Sequence, residues 1–370
     1  MTAALHALLS LSFTPGLGPR KIKALVEHFG DGALADLGAA ELTQVEGVGR
    51  KLAETVLAAR SAAQTKADAE IVRAQRLGVS LLALGTPGYP AALAQIYDPP
   101  PVLYVRGTLP ETVRGELPEL RSLGVVGTRN ASHYGLELGR RFAQELAETG
   151  VAIISGLALG VDTAAHEGAL AAPEGQTVAV LGSSVDIVYP GGNRRLAERI
   201  AEGRGAVVSE YRLGTPPRAE YFPGRNRIIS GLSKGVLVVE GGKKSGALIT
   251  AEYALEEGRS VFAVPGRLGD PRAEGALDLL KQGAVLTQSA DDIRSEFGWQ
   301  HASTPIKPKP ELPGFLGELA ALIRSRGEPL LDELIVATGK SAPELLPTLT
   351  ILELQGAIHK LPSGRYGASV

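Results

Sequence analysis

An arginine-rich segment stands immediately before a strongly apolar run of the chain. Residues 222–232 read Phe-Pro-Gly-Arg-Asn-Arg-Ile-Ile-Ser-Gly-Leu, and residues 235–239 that follow shortly after are apolar. Pro223 suits the first turn of a helix, where free backbone N–H groups and the positive end of the helix dipole favour an anion. Arg225 and Arg227 add permanently charged, directed donors. The segment therefore predicts a phosphate-binding helix start, although isolated arginines also serve as surface ion-pair partners.

Other loops carry small or basic residues directly after apolar runs. Small residues let a ligand approach the backbone closely, and hydroxyl and N–H groups offer contacts to anions. The glycines also suit close packing of a strand against a helix, and this alternative stays open for Gly156 and Gly160. The predicted DNA-binding residues are Gly127, Thr128, Arg129, Ser155, Gly156, Phe222, Arg225, Asn226, Arg227, Lys243 and Lys244.

The pattern downstream of residue 122 explains how these loops come together. Short β-branched runs alternate with helical segments, which is typical of a mostly parallel sheet covered on both faces. The predicted strands are 123–127, 151–155, 177–181, 206–209, 235–240, 261–264 and 284–287, and the predicted helices include 136–148, 193–202 and 247–257. The predicted fold class is α/β, with an extended Rossmann-like, doubly wound sheet. Ligands of such sheets sit outside the carboxyl ends of the strands.

A weak internal repeat occupies the first 66 residues. Pro-Gly-Leu-Gly-Pro-Arg-Lys at 15–21 recurs as Glu-Gly-Val-Gly-Arg-Lys at 46–51, and an amphipathic helical pattern follows each copy. The repeat predicts paired helix-hairpin-helix units of a SAM-like domain, and the second copy fits this pattern better. The glycines of such a hairpin expose backbone N–H groups that can hold a DNA phosphate without reading a base. A helical packing module without DNA contact remains the alternative.

The C-terminal part of the chain predicts a separate small domain. Alternating prolines indicate a semi-rigid linker, and three helical segments followed by a hairpin indicate a winged helix. The candidate recognition helix, 342–355, contains no Lys or Arg, so we expect a protein-contact or structural role for this domain. The predicted divisions are a helix-hairpin-helix domain at 1–66, a connector packed on the core at 67–121, the Rossmann-like core at 122–298, a proline-rich linker at 299–310 and the winged helix at 311–370.

Composition excludes several classes of function. The 370 residues include no cysteine, which excludes disulfides, thiolate catalysis and cysteine-ligated metal centres. No run reaches the roughly 18 apolar residues of a membrane span, and the N-terminus lacks the basic opening of a secretion signal. We therefore predict a cytoplasmic protein without membrane contact. The formal net charge of −2 provides no global basic field, so nucleic acid must be held by basic residues that are gathered locally.

Fingerprints of nucleotide cofactors are missing from the core. A dinucleotide motif would need a glycine where Arg129 stands, and the end of the second core strand lacks the required acid. Residues 241–245 lack the spacing of a phosphate-binding P-loop. Asp162 and His166 make no complete acid–base or metal site, and we interpret them as a residue near a helix start and a packed imidazole. We predict no cofactor, no metal and no catalytic residue.

Several motifs together resemble the DprA/Smf family of DNA-processing proteins. Besides the arginine-rich segment, they are Ser-Gly-Leu-Ala-Leu-Gly-Val-Asp-Thr-Ala-Ala-His at 155–166, Val-Leu-Gly at 180–182, Tyr-Pro at 189–190, Ser-Glu-Tyr at 209–211, Ser-Gly-Ala-Leu-Ile-Thr-Ala at 245–251 and Val-Pro-Gly at 264–266. The resemblance is dense over residues 98–290. It implies that Arg129, Phe222, Arg225, Asn226 and Arg227 line a DNA pocket.

The resemblance also implies a function. Members of this family bind single-stranded DNA, self-associate as homodimers and help load the RecA recombinase onto DNA that is taken up during natural transformation. We therefore predict a non-catalytic recombination mediator that protects incoming single strands and loads RecA. An enzymatic alternative rests on residues 240–252, which faintly resemble the Pro-Gly-Gly-x-Gly-Thr-x-x-Glu loop of nucleoside-monophosphate phosphoribohydrolases. Glu252 would act at the ribose, but the proline and the Gly-Thr pair of that loop are missing.

Overall fold

The computed structural model describes residues 3–30, 34, 36–299, 314–355, 357–361 and 363–368. The chain divides into two compact units, Met1–Gln300 and His301–Val370. None of the described helices is both long and apolar enough to cross a membrane.

A nine-stranded sheet, counted over the described residues, forms the centre of the first unit. Its strands are β1 (Val79–Ala83), β2 (Val102–Gly107), β3 (Ser122–Val126), β4 (Ala152–Ser155), β5 (Thr177–Val180), β6 (Gly205–Ser209), β7 (Gly235–Val238), β8 (Ser260–Ala263) and β9 (Val285–Leu286). They lie in the order β1-β2-β6-β5-β4-β3-β7-β8-β9. The strands from β3 to β9 are parallel, and β1 and β2 add an antiparallel edge. The order reverses between β3 and β7, which is the switch point of a doubly wound sheet.

The N-terminal helices share a hydrophobic core with the antiparallel edge of the sheet. They are α1 (Ala3–Ser12), α2 (Pro19–Phe29), α3 (Ala39–Leu42), α4 (Arg50–Arg76) and α5 (Ala91–Ala94). Leu8 of α1 and Tyr104 of β2 belong to one buried cluster. The helix α4 is continuous through the expected domain boundary at residue 66, so it joins the two regions without a linker. Apolar runs in the expected connector pair with each other as β1 and β2.

Helices cover both faces of the parallel strands. They are α6 (His133–Ala147), α7 (Val161–Ala171), α8 (Arg194–Glu202), α9 (Tyr221–Gly231), α10 (Gly246–Glu256), α11 (Glu274–Lys281) and α12 (Ala290–Phe297). Successive side chains of a strand point to opposite faces, and Ile153 and Ile154 of β4 accordingly belong to two separate hydrophobic clusters. The predicted α/β fold class is confirmed.

The second unit has the winged-helix order that the sequence predicts. Its elements are α13 (Phe315–Arg326), α14 (Leu331–Thr338), α15 (Ala342–Leu354), β10 (Ile358–Lys360) and β11 (Tyr366–Ala368). The two strands pair antiparallel, and Leu334, Leu349 and Tyr366 pack in its core. Apart from Trp299, which packs against Phe297 in the first unit, the expected linker lies outside the described residues.

Candidate nucleic-acid interface

A hollow of about 650 Å³ opens at the switch point of the sheet, where the carboxyl ends of β3, β4 and β7 meet. It is lined by residues 126–129 after β3, by Ala158 and Asp162 around the start of α7, by Tyr189, by residues 217–219, by Phe222, Pro223, Arg225, Asn226 and Ile229 of α9, and by residues 245–247, Ile249 and Thr250 around the start of α10. The hollow therefore collects several of the loops that the sequence predicts to converge.

Three helices direct their amino-terminal turns toward this hollow. Asp162 lies in the first turn of α7, Phe222 and Pro223 lie in that of α9, and Ser245 precedes α10. The Ser245 hydroxyl accepts a hydrogen bond of 3.3 Å from the Ala247 N–H, as an N-cap does. The positive ends of three helix dipoles favour an anion at this position.

Arg225 is the buried cation of the hollow, with only 4% of its surface exposed. Its Nη1 donates to the carbonyl oxygen of Gly156 at 2.7 Å and to that of Val180. Burial lowers the pKa of Arg225 to about 10, the negative charge of Asp162 opposes this, and the positive charge of Arg129 lowers the pKa further. The guanidinium remains protonated at neutral pH, yet it forms no ion pair with any described residue. A buried charge of this kind is stabilised when an anion enters the hollow.

The backbone at Gly156 leaves the space that this guanidinium occupies. A Cβ atom at this position would lie 2.7 Å from Cζ of Arg225, so a larger residue would displace the side chain. Ser155 is fully buried, and its hydroxyl donates to the carbonyl of Val125 at 2.7 Å. Ser155 and Gly156, both predicted as DNA-binding residues, thus lie behind Arg225 and do not line the hollow.

Arg129 provides an exposed cation beside two aromatic rings. Its Cζ lies 5.3 Å from the ring centroid of Phe222, and that ring lies 5.6 Å from the ring of Tyr189. Within the described part of the chain Arg129 has no ion-pair partner. Gly127 and Thr128 line the hollow beside it. An exposed cation next to aromatic faces suits a ligand that carries both a phosphate and an unpaired base.

Arg227 does not join this cluster, which corrects the expectation that both arginines of the segment line one pocket. It is buried, and its Nη1 and Nη2 each donate to a carboxylate oxygen of Glu210 at 2.7 Å. Its Nε donates to the carbonyl of Asp98 at 2.7 Å. Burial alone would lower the pKa of Arg227, but the charges and hydrogen bonds of Glu210, together with Asp98, raise it. Arg227 therefore joins α9 to the end of β6 and to the segment before β2.

The remaining predicted residues divide in the same way. Asn226 lines the hollow, and its Nδ2 donates to the carbonyl of Gly246 at 3.1 Å, which joins α9 to the start of α10. Lys243 and Lys244 are exposed in the loop before α10 and do not line the hollow, although Ser245 next to them does. The structure thus brings together Gly127, Thr128, Arg129, Phe222, Arg225 and Asn226.

Asp162 and His166 have the structural roles that the sequence predicts. The Asp162 carboxylate accepts hydrogen bonds from the N–H groups of Gly156 at 3.1 Å and Ala158 at 3.3 Å, which fixes the loop after β4. His166 is fully buried with Nδ1 2.7 Å from the Thr177 hydroxyl. Burial, with a smaller effect of the Arg225 charge, lowers the pKa of His166 to about 3. Its imidazole is therefore neutral and packed near physiological pH.

The glutamate of the enzymatic alternative lies outside the hollow. Glu252 is exposed on α10 and is not among the residues that line the hollow. It is therefore not placed to act on a ribose that is bound beside Arg129 and Arg225.

Some lining residues were missing from the sequence prediction. Tyr189 is 46% exposed beside Phe222, and Arg218 lies in the loop before α9. Ser245 also carries a signal in the sequence, because a serine before an apolar helical run indicates an N-cap at a strand end. Tyr189 and Arg218 lie in irregular loops, so sequence spacing alone does not predict that they reach the hollow.

Comparisons with protein families match all three parts of the chain. The family described as DNA recombination-mediator protein A matches residues 80–298. A SAM-like helix-hairpin-helix tandem matches residues 7–61, and a DprA winged helix domain matches residues 329–364.

Curated proteins and solved structures show the same similarity. Protein Smf of Escherichia coli is 42% identical over 285 residues, which are 75% of this chain and 74% of that protein. DNA processing protein DprA of Bacillus subtilis is 43% identical over 219 residues, 59% of this chain and 71% of that protein. The X-ray structure of DprA from Streptococcus pneumoniae matches with a TM-score of 0.67 and 34% identity, covering 80% of this chain and 99% of that chain. DprA from Helicobacter pylori, whose structure is described as giving insight into its single-stranded DNA binding mode, matches with a TM-score of 0.50 and 31% identity, covering 60% of this chain and 94% of that chain.

Proposed function

Because the chain belongs to the DprA/Smf family of DNA-processing proteins, we propose that it is a non-catalytic recombination mediator that binds single-stranded DNA in the hollow. It protects incoming single strands and loads RecA onto them during natural transformation. The relative from Helicobacter pylori, for which a single-stranded DNA binding mode is described, supports this choice of ligand.

The observation that carries the proposal is the buried guanidinium of Arg225. Among the described residues, no carboxylate forms an ion pair with it in the hollow. A phosphate group adds to the counter-charge that Asp162 provides without a direct ion pair, and Arg129 lies close enough to affect the pKa of Arg225. Charge-assisted hydrogen bonds from guanidinium groups to phosphate are among the strong polar contacts of proteins.

Aromatic rings beside these cations favour a single strand over a duplex. Phe222 and Tyr189 offer ring surfaces on which an unpaired base can stack, whereas the bases of a duplex are already stacked on each other. The hollow offers no helix or strand ribbon for insertion into a major groove. Phosphate contact and stacking bind any sequence, as a mediator on incoming DNA requires.

The proposal predicts a specific salt dependence. If each protomer neutralises about three phosphates, log affinity falls with log salt concentration at a slope near −2, because each single-strand phosphate contributes about −0.7. Fluorescence anisotropy of a labelled oligothymidylate at several salt concentrations measures this slope. A labelled duplex of the same length is the control, and we expect weaker binding to it. Equal affinity for both DNAs, or a slope near zero, contradicts the proposal.

RecA loading and homodimerisation are part of the same proposal, and membership of the family supports them. We expect the protein to accelerate RecA filament formation on single strands that are coated with a single-strand binding protein. Sedimentation analysis tests whether the protein is a dimer at the concentrations of that assay. A monomer that leaves RecA nucleation unchanged would contradict this part.

A further inference from the structure

A second groove lies between the first helix-hairpin-helix turn and the strand ends of the core. It has a volume of about 340 Å³, and its walls include Tyr211 and Tyr221 of the core and Leu17 and Pro19 of the hairpin before α2. Tyr211 follows the carboxyl end of β6, so this hairpin groove opens at the same edge of the sheet as the hollow. Tyr221 is the chain neighbour of Phe222, which lines the hollow.

Aromatic and cationic side chains connect the two sites. The rings of Tyr211 and Tyr221 stack with centroids 4.2 Å apart and an angle of 25° between their planes. Cζ of Arg218 lies 5.8 Å from the ring centroid of Tyr221, and Arg218 itself lines the hollow. A strand that leaves the hollow past Arg218 therefore meets an aromatic pair next.

The charges in the hairpin groove favour an anion. Its acid, Glu210, is already paired with Arg227 through two hydrogen bonds. Its base, Arg212, is exposed, lies with Cζ 4.0 Å from the ring centroid of Phe13, and donates to the carbonyl of Ser12. In the part of the chain that the structure describes, Arg212 has no ion-pair partner. The start of α2, which no side chain caps, forms part of the other wall through Pro19 and Ile22.

We propose that the hairpin groove is a second subsite for the same single strand. An unpaired base contacts the Tyr211 and Tyr221 rings, and Arg212 holds the adjoining phosphate. This proposal rests on the proposed function and extends it. It assigns DNA contact to the first hairpin copy, residues 15–21, whereas the second copy, which fits the sequence pattern better, lines neither site.

Two oligonucleotide lengths separate the subsites. A probe of about six nucleotides fills the hollow, and one of about 20 nucleotides also reaches the hairpin groove. We expect Arg212→Gln and Tyr211→Leu to leave binding of the short probe unchanged and to weaken binding of the long probe by about 5-fold or more. Arg199→Gln, an exposed arginine in the last turn of α8, is the matched control and should not change either affinity.

The affinities for the two probes show whether the hairpin groove, the hollow or neither binds DNA. Wild-type affinity of both variants for the long probe overturns the second subsite, as does equal weakening for both probes. If the wild-type protein binds neither probe, the proposed function fails and the second subsite fails with it.

Photocrosslinking of the wild-type protein tests the same idea without a substitution. Iododeoxyuridine in the long probe should crosslink to peptides that contain Tyr211, and the short probe should not. Crosslinks of the long probe at Phe222 or Tyr189 without any at Tyr211 would overturn the second subsite and leave the hollow as a DNA site.

Discussion

Replacing Arg225 by methionine is expected to weaken binding of a single-stranded oligonucleotide about 10- to 100-fold. A hydrogen bond to a charged group contributes about 1.5–3 kcal/mol, and each 1.4 kcal/mol corresponds to about tenfold in affinity. Methionine is unbranched and fills the channel beside Gly156 without a charge. The substitution destabilises the fold by removing the hydrogen bonds to the carbonyls of Gly156 and Val180. It also stabilises the fold by removing a buried cation that forms no ion pair with a described carboxylate, and the two effects offset each other. The melting temperature should therefore stay close to that of the wild type.

Anisotropy titration and thermal denaturation measure the two effects separately. Arg199→Met is the control, because Arg199 is an exposed arginine on α8 that lines neither the hollow nor the hairpin groove. Undiminished affinity of the Arg225 variant would remove this residue from the DNA site. A large fall in melting temperature would instead indicate that Arg225 serves mainly to hold the fold together.

Replacing Arg227 by methionine is expected to have the opposite pattern, with a loss of about 3–5 kcal/mol in the free energy of unfolding. The substitution leaves the Glu210 carboxylate, which is 14% exposed, without the two hydrogen bonds that now satisfy it. It also removes the Nε donor from the carbonyl of Asp98. Because Arg227 does not line the hollow, the protein that remains folded should bind the short probe of about six nucleotides, which fills only the hollow, with nearly wild-type affinity.

Urea denaturation measures this loss of stability. The double variant Arg227→Met/Glu210→Met removes the unpaired charge as well, so it should recover part of the stability of the wild type. If Arg227→Met unfolds like the wild type but binds the short probe more weakly, the guanidinium contacts DNA and its pairing with Glu210 is not the main role.

Periodicity in the sequence was sufficient to predict most of the fold. The seven parallel strands read as short β-branched runs because both faces of a doubly wound sheet are buried. The same reasoning did not predict that the apolar runs 79–84 and 102–105 pair with each other, since strand pairing depends on contacts that are distant in the sequence. The domain boundary at residue 66 was placed by the end of the internal repeat, whereas α4 continues across it because its buried residues continue, with Ala63, Ala67 and Ile71 on one face.

The position of the candidate site in the fold was predictable from the sequence, but the orientation of each side chain was not. Parallel strands and their switch point bring Arg129 and Arg225 to one edge of the sheet, as expected. Arg225 and Arg227 are two positions apart on α9, and residues at that spacing lie about 200° apart around a helix. The two side chains therefore cannot both face one hollow. This conclusion requires only that the helix begins before Arg225. Which of the two faces inward depends on Glu210, a partner 17 residues away that local pattern does not reveal.

The central claim is that Arg129 and Arg225 hold phosphates of a single strand at the switch point. The most direct test compares the salt dependence of single-strand binding between the wild type and Arg129→Ala. Arg129 is exposed and has no ion-pair partner among the described residues, so its removal should leave the melting temperature unchanged. We predict an affinity about 5-fold or more below that of the wild type, and a slope of log affinity against log salt that is smaller in magnitude by about 0.7. Identical affinities and identical slopes for the two proteins would contradict the account.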